Sequence, residues 1–113
     1  MMHDKVLIVD DDPGIRSTIS ALINELGYGS ETAADGMDAM GMLDSGPYLC
    51  VFTDIVMPNM SGLELIRKIK ARDVSLPIIV ITGYASVEIA IDAMKCGASD
   101  FISKPFKVRQ IEL

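Results

Sequence analysis

Three aspartates, Asp10, Asp11 and Asp12, stand in a row immediately after the apolar run Val6-Leu7-Ile8-Val9. Three other apolar runs also end in a group capable of chemistry: Asp54 after residues 49–53, Thr82 with Gly83 after residues 78–81, and Lys104 after Phe101-Ile102-Ser103. If Asp10, Asp11 and Asp54 are brought together, each like-charged pair at ~4 Å costs about 4 kcal/mol at an effective dielectric near ~20. A cation must therefore sit among them. Hard carboxylate oxygens suit Mg²⁺ or Mn²⁺, which keep several waters and bind through one or two carboxylates plus a substrate phosphate. That chemistry points to phosphoryl transfer. A divalent ion, the Lys104 ammonium, the Thr82 hydroxyl and the Gly83 N–H can together neutralise the oxygens of a phosphoryl group in flight.

These residues are useful only if the chain converges on them, and its pattern supplies such a frame. Residues 6–9 and 78–81 are continuous apolar runs, the mark of strands covered on both faces. Strand patterns also occur at 30–33, 49–53 and 101–103. Between them lie stretches of helical period. Pro13 opens the first, with Asp12 as N-cap, apolar residues at Ile15, Ile19, Leu22 and Leu26, and Gly27 as its stop. A Met-rich helix is expected over 36–43, softened by Gly41, then one over 62–71 burying Leu63, Leu65, Ile66 and Ile69, and one over 87–96 capped by Gly97. Strands alternating with helices predict an α/β fold, a doubly wound parallel sheet with helices on both faces and right-handed crossovers. In such sheets the site lies beyond the carboxyl ends of the strands, where these reactive groups fall.

The 113 residues make one domain, and a composition of 50% hydrophobic and 23% charged residues fits a folded globule. Ten basic residues against sixteen acidic give a net charge of -6, which disfavours direct binding to a nucleic-acid backbone. No apolar run reaches the ~18 residues of a membrane span, and residues 1–5 lead straight into a strand, so a cytoplasmic protein is expected. Cys50 and Cys96 sit beside apolar residues without a CxxC pair and read as buried reduced thiols.

The residues resemble the receiver domains of bacterial two-component response regulators over nearly the whole chain. The family's acidic pair after the first strand is similar to Asp10 and Asp11, and its phosphoacceptor in a D-x-x-M-P loop to Asp54-Ile55-Val56-Met57-Pro58. Its glycine after that loop matches Gly62, its Thr or Ser after the fourth strand Thr82, its Lys-Pro-Phe Lys104-Pro105-Phe106, and its aromatic switch position Phe101. The resemblance implies a flavodoxin-like five-stranded sheet of order 2-1-3-4-5 and a cis bond before Pro105. It implies that Asp54 takes a phosphoryl group from a phosphohistidine on a sensor histidine kinase or phosphotransfer protein. Asp11, Asp54 and the Val56 backbone carbonyl would ligate Mg²⁺ (or Mn²⁺), with Asp10 acting mostly through water. Lys104 would pair with a phosphoryl oxygen, and Thr82 would move to the phosphoryl group, leaving space into which Phe101 turns. The surface of the fourth helix, fifth strand and fifth helix would then change, with dimerisation on phosphorylation as one consequence. The chain stops a few residues into a final helix beginning near Lys107, so a longer parent with an output domain is expected, the resemblance running to transcriptional regulators of the nitrogen-regulation type.

Blander readings weigh on individual residues. Asp12 is a helix cap rather than a ligand. Asp35, Asp38, Asp44, Asp73, Asp92 and Asp100 read as caps and solvated surface, Arg67, Lys68, Lys70 and Arg72 as the solvated face of one helix, and Met37, Met40 and Met42 as flexible core filling. The two positions that tune phosphoryl lifetime in the family, here Val56 and Tyr84, carry no acid or amide, which predicts slow self-hydrolysis. A rival is a haloacid dehalogenase-type phosphatase with Asp10 as nucleophile, since Asp10-Asp11-Asp12 satisfies its D-x-D and Thr82 and Lys104 follow in order. That class needs a further acidic pair after the lysine, where this chain offers only Glu112, and it leaves Asp54 without a role. A flavodoxin-like electron carrier would share the fold, but three carboxylates in its first loop repel a phosphate.

Overall fold

The run after the N-terminus forms β1 (Lys5–Val9), and strands then alternate with helices: α1 (Pro13–Glu25), β2 (Gly29–Ala33), α2 (Gly36–Ser45), β3 (Cys50–Thr53), α3 (Gly62–Arg72), β4 (Ile78–Thr82), α4 (Val87–Cys96) and β5 (Asp100–Ser103). The structure, a computed structural model, describes residues 5–83 and 86–104. The expected cis bond at Pro105, the residues Tyr84 and Phe106, and the final helix lie outside that range. All strand pairs are parallel and the sheet order is β2-β1-β3-β4-β5, as expected for the flavodoxin-like arrangement.

Alternation along the strands divides the core in two. Val6 and Ile8 of β1, with Cys50, Phe52, Ile81 and Ile102, pack with Ile19 and Ile23 of α1 on one face. Leu7 and Val9, with Val51, Ile78 and Val80, pack on the other face with Ala39 of α2, Leu65, Ile66 and Ile69 of α3, and Ala93 of α4. Helices therefore cover both faces. The expected stripe of α1 is shifted: Ile23 is fully buried, Ile15 and Leu22 are half-buried, and Leu26 is exposed at the C-cap. Helix α1 ends there, so Leu26 has no following turn to press it onto the sheet. Met37 is likewise exposed rather than core filling, because it lies in the first turn of α2 and points away from Ala39, whereas Met40 and Met42 pack against the core. Cys50 is buried and Cys96 half-buried, and both are free thiols.

Each helix start is fixed by a side-chain cap that satisfies an otherwise orphan N–H. Asp12 accepts from Gly14 and Ile15, Asp35 from Asp38, Ser61 from Glu64 and Ser86 from Ile89. Asp12 and Asp35 are thus caps, as their positions suggested. Gly97 closes α4 at φ 115°, a left-handed conformation that a side chain would strain. No helix of the described residues is long and apolar enough to cross a membrane.

Candidate functional site

Register alone assembles the site. Val9 pairs with Thr53 across β1 and β3, so the next residues, Asp10 and Asp54, emerge side by side, and the Asp54 N–H donates to the Val9 carbonyl at 3.1 Å. Thr82 pairs with Ser103, which brings Lys104 out beside β4, its N–H donating to the Thr82 carbonyl at 2.9 Å. The buried polar and charged residues among those described are Asp10, Thr53, Asp54 and Thr82, all at this one edge of the sheet. A fold that otherwise buries apolar residues has concentrated its costly groups at the carboxyl ends of its strands.

One carboxylate oxygen from each of Asp10, Asp11 and Asp54 lies within 4.8 Å of the others, with Asp10 and Asp54 buried and Asp11 exposed. The Lys104 ammonium bridges the two buried ones, donating to Asp10 Oδ2 at 2.9 Å and to Asp54 Oδ2 at 3.0 Å. The remaining oxygens are also held: Asp10 Oδ1 accepts the Asp12 N–H at 2.9 Å and Asp54 Oδ1 the Ile55 N–H at 2.6 Å. Burial pushes the Asp10 carboxyl above its ordinary value, overcoming the opposing pull of the Asp12 N–H and of Lys104. Burial acts on Lys104 in the lowering sense, but its hydrogen bonds to Asp10 and Asp54 outweigh it and hold the ammonium above its usual range.

The loop after Asp54 is fixed from beneath. The Gly62 N–H donates to the Ile55 carbonyl at 2.7 Å, and a Cβ at position 62 would fall 2.0 Å from the Asp54 carbonyl oxygen. Only glycine permits that approach. Val56 lies two residues beyond Asp54 and is 49% exposed. Gly83 is exposed at the end of β4, and Thr82 is fully buried. Phe101 pairs in register with Val80, so alternation puts Val80, Thr82 and Phe101 on one face of the sheet, where Phe101 is half-buried against the core.

Three contacts were not foreseen from the sequence. The Thr53 hydroxyl donates to the Asp54 carbonyl at 2.9 Å, the Ile55 N–H holds the Asp54 carboxylate, and Arg16 Nη1 in α1 donates to the Asp10 carbonyl at 2.7 Å. For Arg16 the available signal was a base one helical turn past the acidic run. Among the bases of α3, Arg72 pairs with Asp44, and Lys70 donates to the Val74 and Leu76 carbonyls at 3.1 and 2.6 Å rather than only facing water.

The donor set fits a hard divalent cation. Three carboxylates against the Lys104 ammonium, with the Arg16 guanidinium on the Asp10 carbonyl, leave net negative charge at the edge of the sheet, and the exposed Asp11 keeps one side open to water. These residues could hold Mg²⁺ or Mn²⁺, and the same edge offers the Lys104 ammonium and the Thr82 hydroxyl to an anionic group.

The family model for the response regulator receiver domain matches residues 6–113. The transcriptional regulatory protein FixJ of Bradyrhizobium diazoefficiens is 39% identical over 105 residues, which are 90% of this chain and 50% of FixJ. The chain thus spans about half the length of the curated relatives first matched. The chemotaxis protein CheY4 of Vibrio cholerae has a TM-score of 0.90 at 31% identity, covering 96% of this chain and 92% of that one. The receiver domain of NtrX from Brucella abortus has a TM-score of 0.88 at 34% identity, covering 93% and 89%. With this sheet, this acidic edge and these relatives, the chain belongs to the receiver domains of two-component response regulators.

Proposed function

We propose that Asp54 is the phosphoacceptor and that residues 1–113 act as a phosphorylation-controlled switch. The observation that carries this reading is the position of Asp54, buried, beside Asp10, and bridged to it by Lys104. A carboxylate oxygen of Asp54 attacks the phosphorus of a phosphohistidine on a sensor histidine kinase or phosphotransfer protein. The new P–O bond replaces the P–N bond, and the departing imidazole takes a proton from solvent. Lys104 transfers its ammonium from the carboxylates to a phosphoryl oxygen, while the Thr82 hydroxyl and the Gly83 N–H donate to the others. Asp11, Asp54 and the Val56 carbonyl would hold Mg²⁺ or Mn²⁺, with Asp10 assisting from beside them. When bound, such an ion supplies charge neutralisation to the phosphoryl oxygens.

Movement of Thr82 toward the phosphoryl group vacates space on the face it shares with Phe101, and Phe101 turns into it. That coupling carries the signal to α4, β5 and the segment after Lys104, with dimerisation as one outcome. Shifting such an equilibrium from 1:99 to 99:1 needs about 5.5 kcal/mol, within reach of several charge-assisted hydrogen bonds to a new dianion. The curated relatives, transcriptional regulatory proteins of which this chain spans about half, support an output domain in a longer parent chain with transcription as its output. The phosphatase reading is set aside, since it leaves the buried Asp54 idle and the family is that of receivers.

Intact mass after incubation with acetyl phosphate and Mg²⁺ tests the proposal. One phosphoryl adduct is expected, lost with EDTA and in Asp54→Ala. Absence of the adduct in the wild type, or its persistence in Asp54→Ala, overturns the assignment.

A further inference from the structure

Asp10 is held at every polar atom. Its N–H donates to the Ala33 carbonyl at 3.2 Å, Oδ1 accepts from the Asp12 N–H at 2.9 Å, and Oδ2 accepts from Lys104 at 2.9 Å. The fourth contact reaches back from α1: Arg16 Nη1 donates to the Asp10 carbonyl at 2.7 Å. The Arg16 main chain is tied to the same loop, its N–H donating to the Asp12 carbonyl at 3.0 Å. A half-buried guanidinium thus spans the turn between β1 and α1.

That carbonyl belongs to the peptide joining Asp10 to Asp11. Because a peptide is planar, fixing its oxygen fixes the plane and with it the direction in which Asp11 leaves the strand. Asp11 is the exposed member of the acidic trio, so packing does not restrain it as it restrains Asp10 and Asp54. We propose that Arg16 is a positioning residue that holds the Asp10–Asp11 peptide so that the Asp11 carboxylate stays within reach of Asp10 and Asp54. The proposal rests on the reading of this edge as a divalent-cation site. Charge alone argues the other way, since a guanidinium beside three carboxylates repels an arriving cation. If Arg16 acted only by its charge, removing it would tighten metal binding; if it sets the register of Asp11, removing it weakens binding.

The test is a titration of the whole chain with Mn²⁺ alone, followed by electron paramagnetic resonance, with circular dichroism of each variant as a check of folding. Arg16→Met is expected to weaken Mn²⁺ binding about tenfold or more, the scale on which outer partners of metal ligands act. Arg16→Lys keeps one donor long enough to reach the carbonyl and is expected to restore most of the affinity, which loss of a merely structural contact would not do. Arg16→Gln is too short to reach it and should bind as weakly as Arg16→Met, so a poorly folded Met variant does not end the test. Unchanged or tighter binding without Arg16 overturns the inference, as does failure of Arg16→Lys to recover. Asp11→Ala separates the two layers. If it binds Mn²⁺ as the wild type does, the cation site itself is wrong; if it loses binding while Arg16→Met and Arg16→Gln keep it, only the role of Arg16 falls.

Discussion

Lys104 stands 3.0 Å from Asp54 Oδ2 while also bridging to Asp10, so the domain holds its own cation against the residue proposed as the phosphoacceptor. The carboxylates proposed to hold a metal ion are thereby kept close without one, and on the same proposal the ammonium that would reach a phosphoryl oxygen is already stored beside Asp54.

Replacing Lys104 by Met removes the only charged partner of two buried carboxylates among the described residues. Breaking a buried pair from one side leaves uncompensated charge, so Lys104→Met is expected to lower metal-free stability by about 2–3 kcal/mol in urea unfolding. Added Mg²⁺ should recover much of that loss. The ammonium is held above its ordinary range, so its contribution is full below about pH 10.4 and is lost as pH rises through the folded value. Wild-type stability should decline there, and the Met variant should lack that component of the decline.

Asp10 makes the opposite case. Its carboxyl lies above the ordinary value because it is buried, so the folded state binds the proton more tightly than the unfolded chain does. Its contribution is therefore full below about pH 4 and is lost as pH rises through the folded value. At neutral pH the ionised group costs stability. Asp10→Asn keeps an acceptor for the Asp12 N–H and leaves Lys104 paired with Asp54, and it is expected to stabilise the metal-free domain by about 1 kcal/mol at pH 7. The gain should vanish in unfolding curves below about pH 4 and shrink when Mg²⁺ is present. Equal stability of the two proteins at pH 7 would refute the cost assigned to this carboxylate.

Two glycines separate local freedom from close approach. At Gly62 a methyl would lie 2.0 Å from the Asp54 carbonyl oxygen and 2.8 Å from the Ile55 Cα, both backbone atoms that cannot rotate aside. Gly62→Ala is expected to destabilise by about 2–3 kcal/mol and to slow phosphorylation by displacing the Asp54 loop. At Gly41, inside α2, nothing lies within 4 Å, and Gly41→Ala should stabilise by about 0.5–1 kcal/mol through helix propensity. Thermal melts of the two variants should move in opposite directions.

The contrast shows what was legible in the sequence. Apolar runs ending in Asp10, Asp54, Thr82 and Lys104 were visible as residue types, and a parallel sheet places all such ends at one edge, so the site followed from the fold class. Strand limits held to within a residue: β1 gained Lys5, β3 lost Leu49, and β5 gained Asp100. What stayed hidden depends on distances between backbones. The need for glycine at 62 is a steric fact about the Asp54 carbonyl rather than a turn preference. The capture of both carboxylates by Lys104 requires knowing that Ser103 registers with Thr82. Ile23 and Leu26 differ in burial because α1 stops between them, a matter of one residue that periodicity does not resolve.

On the proposed function, Val56 is expected to set the lifetime of the switched state. The residue is 49% exposed, two positions beyond Asp54, and it offers neither an acid nor an amide to orient a water toward an aspartyl phosphate. Hydrolysis of a phosphorylated Asp54 would then depend on an unguided water, because proton transfer and alignment contribute only where a group is within hydrogen-bond reach. Val56→Asn supplies a carboxamide at the same point and is expected to shorten the half-life of the phosphorylated domain severalfold in phosphate-release assays. Val56→Leu, equally apolar and of similar bulk, should leave it near the wild-type value, which distinguishes water orientation from simple disturbance of the loop. Equal half-lives for the Asn and Leu variants would show that the residue at 56 does not govern decay, and would place that control elsewhere around the phosphoryl group.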